Sequence, residues 1–395
     1  MNRREFVRTA GLVGLAGIPE KVAGQTDGNS ADDHDTIRVP TDEPTIQDAV
    51  DVAEESDLVL LEEDTYEEAI EIGTPRITLR GHNRNRVILD GGFEQEDGIL
   101  VEADEVAVEN LTVRHFRNNA VYWNDVDGFR GSFLTAYNNG YYGIYAYRSR
   151  DGRFEYSYAS SHPDAGFYLG RNQPFEAVIS DVVAEYNGLG YSGTSTGEDL
   201  TIKDSIWRHN MAGIVPNTLD TIDPPQHSSH IVNNVVYDNG NENAPTEQHT
   251  YPMFGTGILL WGGNDNLVED NIVDSHPNFG IAAYPTVDEP SENVIRENIV
   301  RGSGRADLAL GAPAGEDNQF EANEFRTSLP SAIQDDASEG DDHVTEVFQE
   351  QQRRAEDENY PSGNWRDQPE PRDQPTMRDP EAPPRPASKS ISWGQ

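Results

Sequence analysis

A glycine followed by an apolar residue returns along this chain at a nearly fixed interval: Gly143-Ile144, Gly166-Phe167, Gly190-Tyr191, Gly213-Ile214, Gly257-Ile258 and Gly280-Ile281. Four of the five intervals are 23 or 24 residues, and the fifth, Gly213 to Gly257, is 44, one repeat carrying a loop insertion. A fixed period of this length restricts a chain to architectures in which each repeat stacks on the next. A second marker keeps the same rhythm: an Asn, Asp or Ser inside a β-branched run, at Asn110, Ser132, Asp181, Asp204 or Ser205, Asn234, Asn271, Asn298 and Asn323. The segments between turns are short and alternate apolar with polar residues, without helical periodicity, which excludes βαβ units. They stack as the coils of a parallel β-helix, with the Asn/Asp/Ser marker as a structural ladder along the axis.

Over roughly residues 36 to 330 the repeat resembles the right-handed parallel β-helix proteins of the pectin-lyase-like superfamily, and "DAGFYLG" and "GYSGT" are similar to segments of exported, haloarchaeal-type members. The resemblance implies an all-β, single-stranded right-handed solenoid of about ten coils with an N-terminal capping helix. That cap is expected after Thr41 or Asp42, with Ile46, Ala49, Val50 and Val52 on its apolar face. Polysaccharide lyases, polygalacturonases, alginate epimerases and non-enzymatic surface proteins share the fold, and none of their site motifs is reproduced here. Fold alone therefore does not choose a reaction.

Charge narrows the partners. The formal net charge is -42, with 71 acidic against 29 basic residues, and only Lys21, Lys203 and Lys389 are lysines. Such a surface repels nucleic acid and anionic lipid. The balance resembles that of proteins from salt-loving archaea, where concentrated salt screens self-repulsion. Cysteine is absent, which excludes disulfides and thiolate chemistry. At the N-terminus, Arg3-Arg4 followed by Phe6, Val7 and a short Gly/Ala-rich run looks like a twin-arginine export signal over residues 1–24, with 25–35 as linker. No segment of the mature chain is apolar enough to span a bilayer. Residues 331–395 turn acidic and then Pro-rich, as a disordered tail or a strap along the solenoid.

Candidate chemistry gathers around the repeat marked by Gly166. The residues after the marker glycines alternate inward and outward, so Tyr122, Tyr145 and Tyr168 point out from adjacent coils as an aromatic strip suited to sugar faces, with Tyr186 and Asn217 as further substrate contacts. The phrase "SHPDAGFY" puts His162 and Asp164 on the coil of Tyr168, with His209 near, as acid/base residues. The near-copy "SHPNFGIAAY" replaces the carboxylate by Asn278, and its His276 lies four coils on, ~19 Å away. The insertion carries Asp220, Asp223, His227, His230, Glu247 and His249 without compact metal-ligand spacing, so no metal or cofactor is expected, and calcium has no supporting motif.

Two function classes follow: an exported, extracellular or cell-surface monomer that binds and cleaves or modifies polysaccharide, or a non-catalytic binding solenoid of the cell envelope. The charge reading carries a test. The thermal midpoint in molar KCl is expected to exceed that in ~0.1 M KCl by several degrees; a midpoint that stays level or falls as salt is added contradicts it.

Overall fold

The computed structural model describes residues 34–173, 175–219 and 223–388. The export signal and most of the linker, together with Asp220, lie outside the described residues. Three parallel sheets, the first of 12 strands, the second of 10 and the third of 11, form the faces of one solenoid. The crossovers are right-handed, as connections between parallel strands are. The longest sheet exceeds the ten coils expected because its first strands, Thr36–Val39 and Leu58–Leu61, precede the first Asn/Asp/Ser marker. Inside, side chains stack in register: Phe154, Ile179, Ile202, Ile231, Val268, Ile295 and Phe320 form one column of the first sheet. All seven are at most 2 % exposed. The N-terminal end is closed by α1, Ile46–Val52. Its cap is Thr45, which accepts from Asp48 N, and not Thr41 or Asp42. Val52, expected on the apolar face, is 54 % exposed: it is the last residue of this short helix and stands roughly 200° of helical turn from the buried Val50. Among the described residues no helix is long and apolar enough to cross a membrane.

The corners explain both sequence markers. At each corner one residue per coil takes positive φ and turns its side chain outward, and the next residue points into the coil. Between the first and second sheets the positive-φ column includes Asn110, Asp181, Asp204 and Asp270, and the inward column is Ser205, Asn234, Asn271, Asn298 and Asn323. The sequence reading merged these neighbouring columns: Asn110, Asp181 and Asp204 are not ladder residues, and Ser132 ends a strand. Asn234 Nδ2 donates to Asn271 Oδ1 at 3.0 Å, Asn271 to Asn298 at 3.0 Å and Asn298 to Asn323 at 2.9 Å. Two further ladders, missed in the sequence, occupy the other corners. Asn266, Asn293 and Asn318 form one, and Asn139, His162, Asn187, Asn210 and Asn239 the other.

The marker glycines belong to this last ladder. A Cβ on Gly166 would lie 2.8 Å from Asn187 Nδ2, and one on Gly257 2.5 Å from His276 Nε2. The space a side chain would need is filled by the next coil's ladder group.

His162 and His276 are therefore rungs. His162 is fully buried, its Nδ1 2.9 Å from Asn187 Oδ1 and its Nε2 3.2 Å from Asn139 Nδ2. This corrects its assignment as a catalytic base, since a closed interior gives it no substrate.

The C-terminal segment lies on the solenoid's outer faces. Helix α2, Asp342–Glu356, buries Val344 and Phe348 on the third sheet, where Phe348 stacks on Tyr284 with ring centroids 4.2 Å apart. The chain then runs back along the solenoid. Gln374 and Asn85 exchange hydrogen bonds, and Thr376 Oγ1 and Met377 N donate to Asn110 Oδ1, so Asn110, which heads an Asn-Leu-Thr glycosylation sequon, is buried under the strap. Further on, Arg385 meets Glu109 at 3.3 Å and Glu155 at 3.1 Å. Glu109 is fully buried with Arg80 and Arg130; burial would raise its carboxyl, but Arg130 and then Arg80 overcome this and hold it at about 2.

Two outcomes follow. The Asn271 side chain makes five hydrogen bonds in a buried corner, so Asn271→Ala is expected to lower unfolding free energy by about 3 kcal/mol or more in urea titrations, and Asn323→Ala at the ladder's end by less. Burial depresses His162 and His276 from 6.5 to about 4. Above pH 6.5 folded and unfolded chains are both neutral at these sites; below it only the unfolded chain takes up protons, so stability falls towards pH 4 by about 1.4 kcal/mol per pH unit per histidine. His162→Asn, the residue type of rungs 187 and 210, is expected to fold and to remove one such slope; unchanged pH dependence between 6.5 and 5.5 overturns it.

Candidate functional site

The outer face of the third sheet carries the groups that a ligand can reach. Strands Val121–Asn124, Ile144–Tyr147 and Ala165–Gly170 pair in parallel with Tyr122 opposite Tyr145 and Tyr145 opposite Tyr168. The register is as the sequence implies, and the surface differs. Tyr122 stacks on Tyr145 at 4.4 Å, and Tyr168 meets Tyr145 edge-on at 4.9 Å. Tyr142, from the preceding turn, covers both, 4.7 Å from Tyr145 and 4.4 Å from Tyr168. Tyr145 and Tyr168 are thus 9 % and 8 % exposed. They are packed rings and not an open platform; Tyr122, Tyr141 and Tyr147 remain partly accessible.

Asp164 follows the His162 rung in a turn that is one residue longer than in the next coil. Its carboxylate does not meet His162. It accepts from His249 Nε2 at 2.8 Å, a residue of the inserted loop 85 positions away. The Asp164 side chain is nearly buried, whereas that of His249 is 50 % exposed. With Nε2–H donated to Asp164, the neutral tautomer leaves Nδ1 as the nitrogen that can accept a proton. The hydrogen bond to Asp164 raises the His249 pKa above its ordinary value against the lowering effect of burial.

Tyr141 lies beside the pair. Burial first, and then the Asp164 charge, push its phenol up to about 12. Burial also raises Tyr142, Tyr145 and Tyr168. At neutral pH these phenols donate hydrogen bonds and do not act as bases. His249 adds to this face an imidazole, the side-chain type whose ordinary pKa lies closest to neutrality.

At the opposite edge, the third corner's positive-φ column turns Asp125, Arg148 and Arg171 outward. With Asp104, Asp127 and Arg150 they line a groove of about 600 Å³. The Arg148 guanidinium lies 5.2 Å from the Tyr147 ring, joining this groove to the tyrosines. From Asp164 to Arg171 is seven residues of one coil, roughly 20 Å by strand rise.

The remaining predicted residues lie elsewhere. Tyr186 and His209 occupy positive-φ positions at the second corner and point outward, stacked on each other at 5.5 Å. His209 meets the edge of Tyr237, and the neighbouring Glu185 carboxylate binds Arg208 and Tyr158. The sequence reading had placed them with His162 because it counted back from the marker glycines: His162 stands four residues before Gly166, but the equivalent rung Asn187 stands three before Gly190. Asn217 is fully buried, its amide donating to Ser192 Oγ at 3.2 Å and Val215 O at 3.0 Å, so it offers nothing to a substrate. The polar residues of the insertion disperse: His230 pairs with Glu269 and His249 with Asp164. The sequence reading missed Tyr141 and Tyr142, whose signal was present in "NNGYYGIYAY", and noticed His249 only as a metal candidate.

Residues 84–241 match the family model described as the right handed beta helix region. Among solved structures, the A-module of a mannuronan C-5 epimerase from Azotobacter vinelandii is similar at 13% identity and TM-score 0.44, covering 69% of this chain and 90% of that one. An alginate lyase from Paenibacillus sp. is similar at 16% identity and TM-score 0.48, covering 73% and 99%. A pectate lyase is similar at 11% identity and TM-score 0.44, covering 72% and 81%. No curated protein matches the sequence. The stretch that matches the family model contains the tyrosine strands and Asp164, and it stops short of the loop that supplies His249.

Proposed function

We propose that this protein binds polysaccharide across the outer face of the third sheet and modifies it by proton transfer at the Asp164–His249 pair. The observation that carries the reading is the 2.8 Å contact between a nearly buried carboxylate and a half-exposed imidazole at the rim of a tyrosine cluster. The carboxylate fixes the ring and stabilises its protonated form, and Nδ1 takes a proton from substrate; Tyr141, held protonated by burial and by Asp164, donates to the departing or developing oxygen. This suits a lyase or epimerase better than a retaining hydrolase, which needs two free carboxyls ~5 to 5.5 Å apart, because Asp164 is engaged by His249. Sugar rings would contact Tyr122 and Tyr147, with Arg148 and the third-corner groove meeting polar or anionic substituents. No metal or cofactor enters the scheme.

The -42 charge and the Arg3-Arg4 segment support an exported, halophile-type protein working outside the cell, where molar salt lets an acidic surface approach an acidic polymer. The test is a panel of acidic and neutral polysaccharides in molar salt, read for unsaturated products, new reducing ends and altered sugar stereochemistry. His249→Ala and Asp164→Asn are expected to lower turnover by about 10²-fold or more, with affinity retained. Affinity without any product would turn the reading into the non-catalytic binding solenoid.

A further inference from the structure

The loop that bears His249 is held from outside as much as from the solenoid. Its ends dock on the coils, where Asn241 N donates to Asn210 O, Gly255 N to Met211 O, and Asn278 Nδ2 to Phe254 O. Between these ends the loop meets the coils through the His249–Asp164 pair and the packing of Ala244 and Met253, and its other hydrogen bonds outside itself go to the C-terminal segment. Gln248 Nε2 donates to Ala355 O at 2.9 Å, and Gln351 Nε2 to Phe254 O at 2.8 Å. Ser362 Oγ accepts from Thr246 N at 2.9 Å and donates to Thr246 O at 3.0 Å. Gly363 N donates to Ala244 O, and Gln368 Nε2 to Asn243 O. The Tyr251 ring stacks on Tyr360 at 4.8 Å, with the Arg354 guanidinium 5.3 Å away. The residue before His249 and the residue two after it are thus both tied to α2 or to the chain that follows it.

We propose that residues 351–368 are a positioning element for the candidate site: docked, they press the inserted loop onto the third sheet and bring His249 to Asp164, and undocked, they leave the pair unformed. The chemistry of the site then depends on a segment that is not part of any coil. The chain that follows this segment is fixed by Arg385 on the Glu109 cluster, so anything that frees the strap, a protease or a competing partner for the same face, reaches His249 through the loop. The inference rests on the proposed function only for its catalytic consequence, because the geometry of the pair is measurable without substrate.

The test is an NMR titration of His249 in the full chain. Asp164 and Glu247 are the charged groups acting on the ring, and Asp164→Asn supplies the unpaired reference. The double variant Tyr360→Ala/Ser362→Ala is expected to move the His249 midpoint down towards that reference. Amide hydrogen exchange over residues 244–251 should quicken about tenfold or more, with exchange in the coils unchanged. Tyr360→Phe, which keeps the ring, should retain the parent midpoint. If the double variant destabilises the whole chain, Gln248→Ala alone reads the same midpoint with the segment intact. A His249 midpoint unchanged in both variants overturns the proposal, as does a parent midpoint equal to that of Asp164→Asn. A shifted midpoint in a protein that forms no product from any polysaccharide leaves the positioning role standing and rejects the reaction.

Discussion

The structure depends on how each corner satisfies its backbone. A coil that turns three times within a shell closed to water leaves peptide groups that no strand can pair, and leaving them bare would cost about 1–3 kcal/mol each. Here the amide of the next coil does the work: Asn187 Nδ2 donates to Ala159 O and Glu185 O, and Asn271 Nδ2 to Ile231 O and Glu269 O. The residue before each rung takes positive φ so that the rung can point in. The marker glycine, at the start of the strand after the second corner, leaves room for the rung of the following coil. Glycine, turn and amide are one device, and together they fix the register that stacks Tyr122, Tyr145 and Tyr168 and sets Asp164 in its turn.

What covers the outside then decides where function can sit. The strap closes the N-terminal part of the first sheet over Arg80, Glu109 and Arg130, and removing one member of that cluster would strand a buried charge. Helix α2 and the inserted loop close the C-terminal part of the third sheet over Val215, Leu259 and Ala282. The tyrosines lie at the boundary of this second cluster. They are half in an apolar layer and half at a rim, an arrangement that suits an amphipathic ring meeting a sugar. Rim placement also gives the Asp164–His249 pair its asymmetry, with a sheltered carboxylate and an imidazole open to solvent.

Much of the fold was legible because its chemistry recurs. The interval between marker glycines, the β-branched runs and the Asn/Asp/Ser positions all report a local solution repeated coil after coil, and the inward–outward alternation after each glycine placed the tyrosines on the correct face. Errors arose where neighbouring columns differ by one residue. Asn110 and Asp181 were taken for rungs though they are the outward residues before them. His209 and Tyr186 were grouped with His162 because the turn that contains Pro163 is one residue longer than its successor.

The solenoid, its ladders as a kind of interaction, and the residues of one aromatic face follow from the order of residues alone, because stacking similar coils makes spatial neighbours of residues one period apart. It took the folded molecule to show that His162 is buried, that Tyr142 covers Tyr145 and Tyr168, and that Asp164 belongs to His249. Those outcomes depend on an inserted loop and a C-terminal segment that obey no period. Their contacts span 85 residues in the case of the pair and more than 100 where Ser362 meets Thr246, and nothing local in either segment encodes the partner it will meet.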